Sequence, residues 1–304
     1  MEIIIGTRKS KLALWQANHV ASKLRQLGHN CQLTLIESEG DKIIDTPLPL
    51  IGGKGLFTKA LDEAILNQSI HIAVHSYKDV PTELDEGLIV TAILEREKHT
   101  DAIVVKNGLD FLTHENAVIA TSSNRRKALW LNKFPNHRIV DIRGNVPTRI
   151  QKLNKQPWDA TILASAGLIR LNLQHEIAQE LHWMTPAPAQ GAIAVMCHSS
   201  QSNIIQELSK INDSNTALCT NIERDFLNAL NGGCSAPLGA YAQIKNNKVQ
   251  FEGVVASIDG KEKIEIRLEA SLNTASNLGL EAANTAVKKG AKRLIDSANN
   301  YKNA

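Results

Sequence analysis

Ile3-Ile4-Ile5-Gly6-Thr7-Arg8-Lys9-Ser10 runs into Lys11-Leu12-Ala13-Leu14, and Val118-Ile119-Ala120-Thr121-Ser122-Ser123-Asn124-Arg125-Arg126 runs into Lys127-Ala128-Leu129. Each begins with a short apolar run that reads as a buried strand. Each continues into a helix, the first with apolar residues at Leu14, Ala17, Ala21, Leu24 and Leu27 and a stop at Gly28. Strand-to-helix alternation of this kind predicts α/β units built around largely parallel sheets. Both junctions also bring hydroxyls and arginines to a helix N-terminus, where the dipole favours anions. Ordinary N-capping explains one such junction. Two of them, with arginines attached, point to one negatively charged ligand held in a cleft between two domains.

The pattern extends outward from both junctions. Gln32–Ile36, Ile70–His75 and Leu88–Leu94 are strand candidates of a first block, with a helix ending near Leu66. A second block opens at Asp101–Val105 and adds strands at Ile139–Ile142 and Ala160–Ala164, with helices through Leu131 and through Thr148–Leu153. Pro186 and Pro188 interrupt it, and Ala192–Met196 reads as a strand after them. From Thr216 the character changes. A helix to Leu230 precedes strands at Leu238–Ile244, Val249–Ala256 and Lys263–Glu269, with hairpin signals at Asn246-Asn247 and Asp259-Gly260. One long helix is predicted over Ser276–Ala298. This last part is an α+β domain with an antiparallel sheet.

Charge is unevenly spread. The 304 residues carry a formal net charge of +3, yet Thr121–Arg170 holds ten basic residues against Asp141 and Asp159. That window is +8, leaving −5 elsewhere, and contains half of the twelve arginines. A concentrated anion site fits this better than a diffuse polyelectrolyte surface. Arginine's planar fork donates two parallel hydrogen bonds to a carboxylate. Arg125, Arg126, Arg143, Arg149 and Arg170 fall near strand ends or helix starts, where open α/β sheets bind ligands. Lys127, Lys133, Lys152 and Lys155 read as solvated surface. Nucleic-acid stacking on Trp130 and Trp158 is disfavoured by an aromatic content of 4% and by the core-like position of both. An apolar content of 43% with 21% charge argues against disorder. No apolar run reaches the roughly 18 residues of a membrane helix, and no secretory leader pattern opens the chain. The expectation is a cytoplasmic protein with neither nucleic acid nor membrane as partner.

Lys78 and Asp79, in His75-Ser76-Tyr77-Lys78-Asp79-Val80-Pro81, sit where a strand gives way to a loop. One carboxylate among many cations could move protons or stabilise a cationic intermediate, although from the fragment alone a plain Lys-Asp turn is the better reading. His71 and His75 share a strand face but lie about 13 Å apart, too far for one metal ion, so a packed or hydrogen-bonded histidine is expected. The four cysteines form no CxxC pair. Cys31, Cys197 and Cys219 read as small buried hydrophobes. Cys234 differs: Gly232-Gly233-Cys234-Ser235 follows a helix on a loop that allows close backbone approach, so its thiol could be a nucleophile or an attachment point.

Together these segments resemble the porphobilinogen deaminase (hydroxymethylbilane synthase) family over essentially the whole chain. The resemblance is carried by Gly6–Ala13, Gly40-Asp41, Asp45–Leu48, Gly52-Gly53-Lys54-Gly55-Leu56-Phe57 and Ala73–Pro81. It continues through Thr121–Arg126, Arg143-Gly144-Asn145-Val146-Pro147-Thr148-Arg149, Ala164–Leu168, Arg170, Pro186–Ala192 and Gly232-Gly233-Cys234. It implies three domains. Residues 1–95 and 192–211 form the first and 99–187 the second, both like halves of a type II periplasmic binding protein; 214–304 form the third.

The resemblance also implies a mechanism. Cys234 carries a dipyrromethane cofactor through a thioether. Four porphobilinogen units are added to it, each losing ammonia to give an electrophilic azafulvene, and hydrolysis releases hydroxymethylbilane. Asp79 stabilises positive charge on the pyrrole nitrogens and assists proton transfer. Lys78, Asp79, Thr121, Ser123, Arg125, Arg126, Arg143 and Gly144 support the cofactor with Cys234. Arg8, Ser10, Lys54, Arg143, Arg149 and Arg170 bind substrate carboxylates. No metal is implied, and the expected state is a monomer.

Three positions depart from the family pattern: Glu39 for a neutral or basic residue, Leu50 for a lysine and Tyr77 for a methionine. The first two make the 39–55 region less basic, so altered elongation kinetics with retained activity is expected. The competing class is a non-catalytic organic-anion binding module, which would need the arginines but neither Asp79 nor Cys234.

Overall fold

The structure is a computed structural model, and it describes residues 1–38, 58–232 and 236–300. The chain opens as β1 (Glu2–Thr7), α1 (Lys11–Gln26) and β2 (Asn30–Leu35), followed by α2 (Lys59–Leu66), β3 (Ile72–Ser76) and β4 (Leu88–Ile93). It continues as β5 (Asp101–Val105), β6 (Val118–Ala120), α3 (Asn124–Lys133), β7 (Arg138–Val140), α4 (Val146–Lys155), β8 (Ala160–Ala164), α5 (Ser165–Arg170) and β9 (Gln179–Glu180). Then come β10 (Ile193–His198) and α6 (Ser202–Ser209), and finally α7 (Ser214–Ala229), β11 (Leu238–Lys245), β12 (Lys248–Ala256), β13 (Lys263–Ser271), α8 (Leu278–Lys288) and α9 (Ala291–Asn300).

These elements form two compact units. Residues 1–38, 58–97 and 191–217 make the first, and residues 98–190 and 218–300 the second. The first contains a five-stranded sheet in the order β2-β1-β3-β10-β4. The second contains a sheet in the order β7-β6-β8-β5-β9 and a separate antiparallel meander β11-β12-β13. The two five-stranded sheets have the same plan. Three parallel strands come from strand-helix alternation, and the fourth position is filled by a strand antiparallel to its neighbours, β10 in one and β5 in the other. The expectation of largely parallel sheets is therefore corrected to mixed sheets. β5 and β10 each follow a passage of the chain from one unit to the other. Neither arrives by the helical crossover that forces a parallel pairing.

The cores follow the sequence periodicity. Ile3, Ile5, Ile72, Val74 and Val195 pack against Ala17, Val20, Ala21 and Leu24 of α1. In the second unit Trp130 is fully buried among Ile119, Ala128, Ile162 and Met184, with its indole N–H donated to His137 Nδ1 at 3.2 Å. Trp158 packs against the neighbouring cluster around Leu153 and Leu163. Val254 and Ala256 of β12 join the Trp130 cluster, and Asn132 Nδ2 donates to the Gly260 carbonyl at 2.8 Å. The meander is thus packed directly on the second α/β block. Its Asn246-Asn247 turn has φ of 51° and 59°, the left-handed pair of a type I′ hairpin. The single C-terminal helix expected over 276–298 is instead α8 and α9. Gly290 at φ 94° breaks it, and the Lys289 N–H closes the α8 end.

Glu223 of α7 is fully buried and accepts from the Ala189 N–H at 2.6 Å and the Ala242 N–H at 2.7 Å. It ties the proline-rich 186–190 segment to β11, with Ala189 held at φ 61°. The expected strands are present with ends shifted by one or two residues.

Candidate active site

In the first unit, β1 ends at Thr7, whose buried Oγ1 donates to the Ala13 carbonyl at 3.1 Å and folds the Arg8-Lys9-Ser10 turn against α1. Ser10 is the N-cap, its Oγ accepting from the Ala13 N–H at 3.2 Å. That bond uses a lone pair and leaves the hydroxyl proton able to donate. Arg8 beside it is half-buried. β3 delivers the second group. After Ser76 the chain forms a single 3₁₀ turn, Tyr77–Asp79, pinned by the Tyr77 N–H donating to the Ala192 carbonyl at 3.0 Å. Tyr77 is buried, Lys78 half-buried and Asp79 exposed. Gln16 of α1 is buried and donates to Ser76 Oγ at 2.8 Å, locking α1 to the end of β3. His75 is buried, and burial first, then the Arg8 charge, pull its pKa down to about 4. It is neutral at physiological pH.

In the second unit, the Thr121 N–H donates to the Val140 carbonyl at 2.8 Å and Thr121 Oγ1 accepts from the Ser123 N–H at 3.2 Å. Ser123 caps α3 by accepting from the Arg126 N–H at 3.4 Å. Ser122 Oγ donates to the Ile142 carbonyl at 2.9 Å and accepts from its N–H at 3.0 Å, so the loops after β6 and β7 are joined. The next turn carries Arg143 and Gly144. Gly144 has φ 115°, and a Cβ there would lie 2.7 Å from Thr148 Cγ2, so only glycine fits. Arg149 Nε donates to the Gly144 carbonyl at 2.8 Å, and Asn145 caps α4. Arg170, at the end of α5 after β8, is buried.

Arg125 and Arg126 are deeper than a plain ligand fork would be, 4% and 6% exposed. Asp101, fully buried at the start of β5, explains them. Arg126 donates from Nε at 3.0 Å and Nη2 at 2.7 Å to Asp101 Oδ1, and from Nη1 to the Ile162 carbonyl at 2.8 Å. Arg125 Nη1 pairs with Asp101 Oδ2 at 2.7 Å and donates to the Thr185 carbonyl at 2.9 Å. Gln190 Nε2 adds a bond to Asp101 Oδ1 at 3.1 Å and another to the His99 carbonyl at 2.8 Å. Two guanidiniums against one carboxylate leave a positive excess. Sequence reasoning missed Asp101, Gln190 and Gln16. The available signal was an acid opening an otherwise apolar strand, which must find a cation if buried.

The candidate residues within the described part therefore sit at or beyond the carboxyl ends of the parallel strands β1, β3, β6, β7 and β8, the ligand-binding end of an open α/β sheet. Lys54 and Cys234, with Glu39 and Leu50, lie outside the described residues. A polycarboxylate pyrrole group fits the donor set on one further observation. Arg143 Nη1 is buried with no hydrogen-bond partner among the described residues, and burial lowers the Arg143 pKa against the support of Asp141. An anion is one partner that would satisfy this buried guanidinium N–H.

Cation-lined strand ends in two α/β sheets, with an appended antiparallel domain, define a protein for anionic organic ligands. Comparison with known proteins is more specific. The family model described as "Porphobilinogen deaminase, dipyromethane cofactor binding domain" matches residues 3–206, and "Porphobilinogen deaminase, C-terminal domain" matches residues 217–288. A porphobilinogen deaminase from a Nitratiruptor species is 41% identical over 98% of this chain and 97% of its own. That of Campylobacter curvus is 39% identical over 98% of both. Among solved structures, a putative lipoprotein from Ruminococcus gnavus is similar over 69% of this chain and 90% of its own, at 12% identity and a TM-score of 0.43. The chain belongs to the porphobilinogen deaminase family.

Proposed function

We propose that this chain is a hydroxymethylbilane synthase of tetrapyrrole biosynthesis, a transferase that condenses four porphobilinogen molecules head to tail and releases the product by hydrolysis. The observation that carries this reading is the pairing of one exposed carboxylate, Asp79, with Lys78 at a strand end, in a chain whose other strand ends present arginines. Cys234 would hold a dipyrromethane group by a thioether, supported by Lys78, Thr121, Ser123, Arg125, Arg126, Arg143 and Gly144. When bound, that group supplies a nucleophilic pyrrole α-carbon.

The chain's own residues do the rest. Arg8, Ser10, Lys54, Arg143, Arg149 and Arg170 take up the acetate and propionate carboxylates, fixing each porphobilinogen by charge-assisted bonds. In each addition the incoming porphobilinogen would lose ammonia as its aminomethyl C–N bond breaks, its methylene carbon would bond to the free α-carbon of the held chain, and that attacking α-carbon would give up its proton. Asp79 holds the pyrrole N–H, stabilises the positive charge that develops as the amine departs, and takes part in the proton transfer. Asp101 holds the Arg125 and Arg126 guanidiniums in place. The protein acts as a cytoplasmic monomer; no helix among the described residues is long and apolar enough to cross a membrane.

Intact-protein mass and porphobilinogen consumption test this reading. The wild type should exceed its sequence mass by two pyrrole units and consume porphobilinogen, and Cys234→Ser should lose both properties. An unmodified wild type that leaves porphobilinogen untouched contradicts it and favours the anion-binding module.

A further inference from the structure

His75 is 6% exposed, its Nε2 is buried, and that atom has no hydrogen-bond partner among the described residues. The sequence led us to expect a packed or hydrogen-bonded histidine; the structure shows one that is packed and leaves Nε2 unbonded. Such an atom is uncommon. Buried polar groups are bonded in the large majority of cases, and leaving one unbonded destabilises the fold. The preceding buried positions of β3 are Ile72, Ala73 and Val74, and an apolar residue at 75 would continue that run at no such cost. What distinguishes position 75 is its surroundings. It lies three residues before Lys78 and four before Asp79, at the end of the strand that delivers them, and Arg8 is the charged group acting on it.

A neutral imidazole carries one N–H, on Nδ1 or Nε2, and with that proton on Nε2 the unbonded atom is a donor. The Arg8 cation opposes a second proton on the ring. Arg8 follows β1 and His75 is the last residue but one of β3, and these strands pair in parallel with Gly6 opposite Ala73. An anionic group seated against Arg8 would thus meet a fixed cation from one strand and a neutral donor from the next. It would also satisfy the atom that the protein leaves open.

We propose that His75 is a further substrate-binding residue, whose imidazole N–H bonds a carboxylate of the porphobilinogen unit held by Arg8. This rests on the proposed function. It assigns His75 a ligand bond in place of a structural one, and the two roles differ in a measurable way. A structural histidine makes bonds within the fold, so removing it destabilises the protein. An unbonded one replaced by leucine removes a desolvated polar group and leaves the fold as stable or more so.

The test compares the wild-type holoenzyme with His75→Leu and His75→Gln by KM and kcat for porphobilinogen, thermal midpoint and intact mass. For His75→Leu we expect KM to rise about tenfold or more, kcat to change far less, the midpoint to hold or rise, and the cofactor mass to remain. His75→Gln, which restores an N–H donor, should recover part of the KM. An unchanged KM in His75→Leu overturns the proposal. So does a KM change that tracks a lowered midpoint in both variants, which marks a structural role. Loss of the cofactor mass in His75→Leu overturns the substrate assignment in favour of a cofactor contact. Failure of the proposed function itself would appear separately, as a wild type without cofactor mass or turnover.

Discussion

At the carboxyl end of β3 the protein places an exposed Asp79, a half-buried Lys78 and a buried neutral His75 with Nε2 unbonded. At the carboxyl end of β6 it places Arg125 and Arg126, both buried and both bonded to Asp101. The two sheets share one strand order, so the difference does not come from topology. It lies in which groups are left for a ligand. At the β6 end of the second sheet an internal carboxylate, Asp101, secures Arg125 and Arg126. The first leaves an acid exposed and a donor open, which suits a substrate that must enter, react and move on.

The largest expected effect tests the acid of the first sheet. Asp79→Asn preserves the turn, because the exposed side chain caps no helix. It should fold normally and lose on the order of 10²- to 10⁴-fold in kcat, the usual span for a positioned acid–base group. Single-turnover kinetics with porphobilinogen checks this, and unchanged turnover removes Asp79 from the chemistry.

Asp101→Ala tests the second sheet. It strands two guanidiniums in the interior, and breaking a buried pair in this way costs about 3–5 kcal/mol. Denaturant titration should show the loss, together with poor cofactor loading by intact mass. A variant with wild-type stability would mean that the arginines do not depend on Asp101.

A smaller effect separates two titrating groups of the first unit. Burial lowers His75 from 6.5 to about 4, so its charging costs nothing above pH 6.5 and destabilises the fold increasingly as pH falls toward 4. Asp62 of α2 is raised from 3.8 to about 6 by burial first, opposed by Thr58 and reinforced by Asp85 and Glu63. Its contribution is complete below pH 3.8 and is lost as pH rises through 6. The two oppose each other between pH 4 and 6, each worth roughly 3 kcal/mol at full extent. Relative to wild type, Asp62→Asn should lose stability on acidification across that window, and His75→Leu should gain it. Thermal midpoints measured from pH 4 to 7 read the sign, and parallel curves for all three proteins would contradict both assignments.

Much of this was legible in the sequence. Apolar runs and helix periodicity located the strands, because burial imposes those patterns locally. The cation-rich loops followed from the same boundaries. What escaped depended on distance in sequence. Asp101 meets Arg125 and Arg126 only after β5 inserts beside β8, and nothing local marks that strand as antiparallel. Gln190 reaches Asp101 from the proline-rich segment for the same reason. Gly290 was a local signal outweighed by the continuous helical periodicity around it, and its positive φ splits α8 from α9. His75 was assigned the ordinary role of a core histidine, and only the three-dimensional accounting of donors and acceptors shows Nε2 unbonded. Tyr77, expected from the resemblance to depart from the family pattern, is buried at the start of the Tyr77–Asp79 turn.

We propose that Asp79 acts in the addition of pyrrole units to a chain held on Cys234. Intact mass after mixing holoenzyme with limiting porphobilinogen tests it most directly. The expected spectrum is a ladder of discrete additions, each one pyrrole unit, that climbs to at most four above the holoenzyme and is missing in Asp79→Asn. A holoenzyme mass that stays fixed while porphobilinogen disappears, or a normal ladder in Asp79→Asn, would contradict the account.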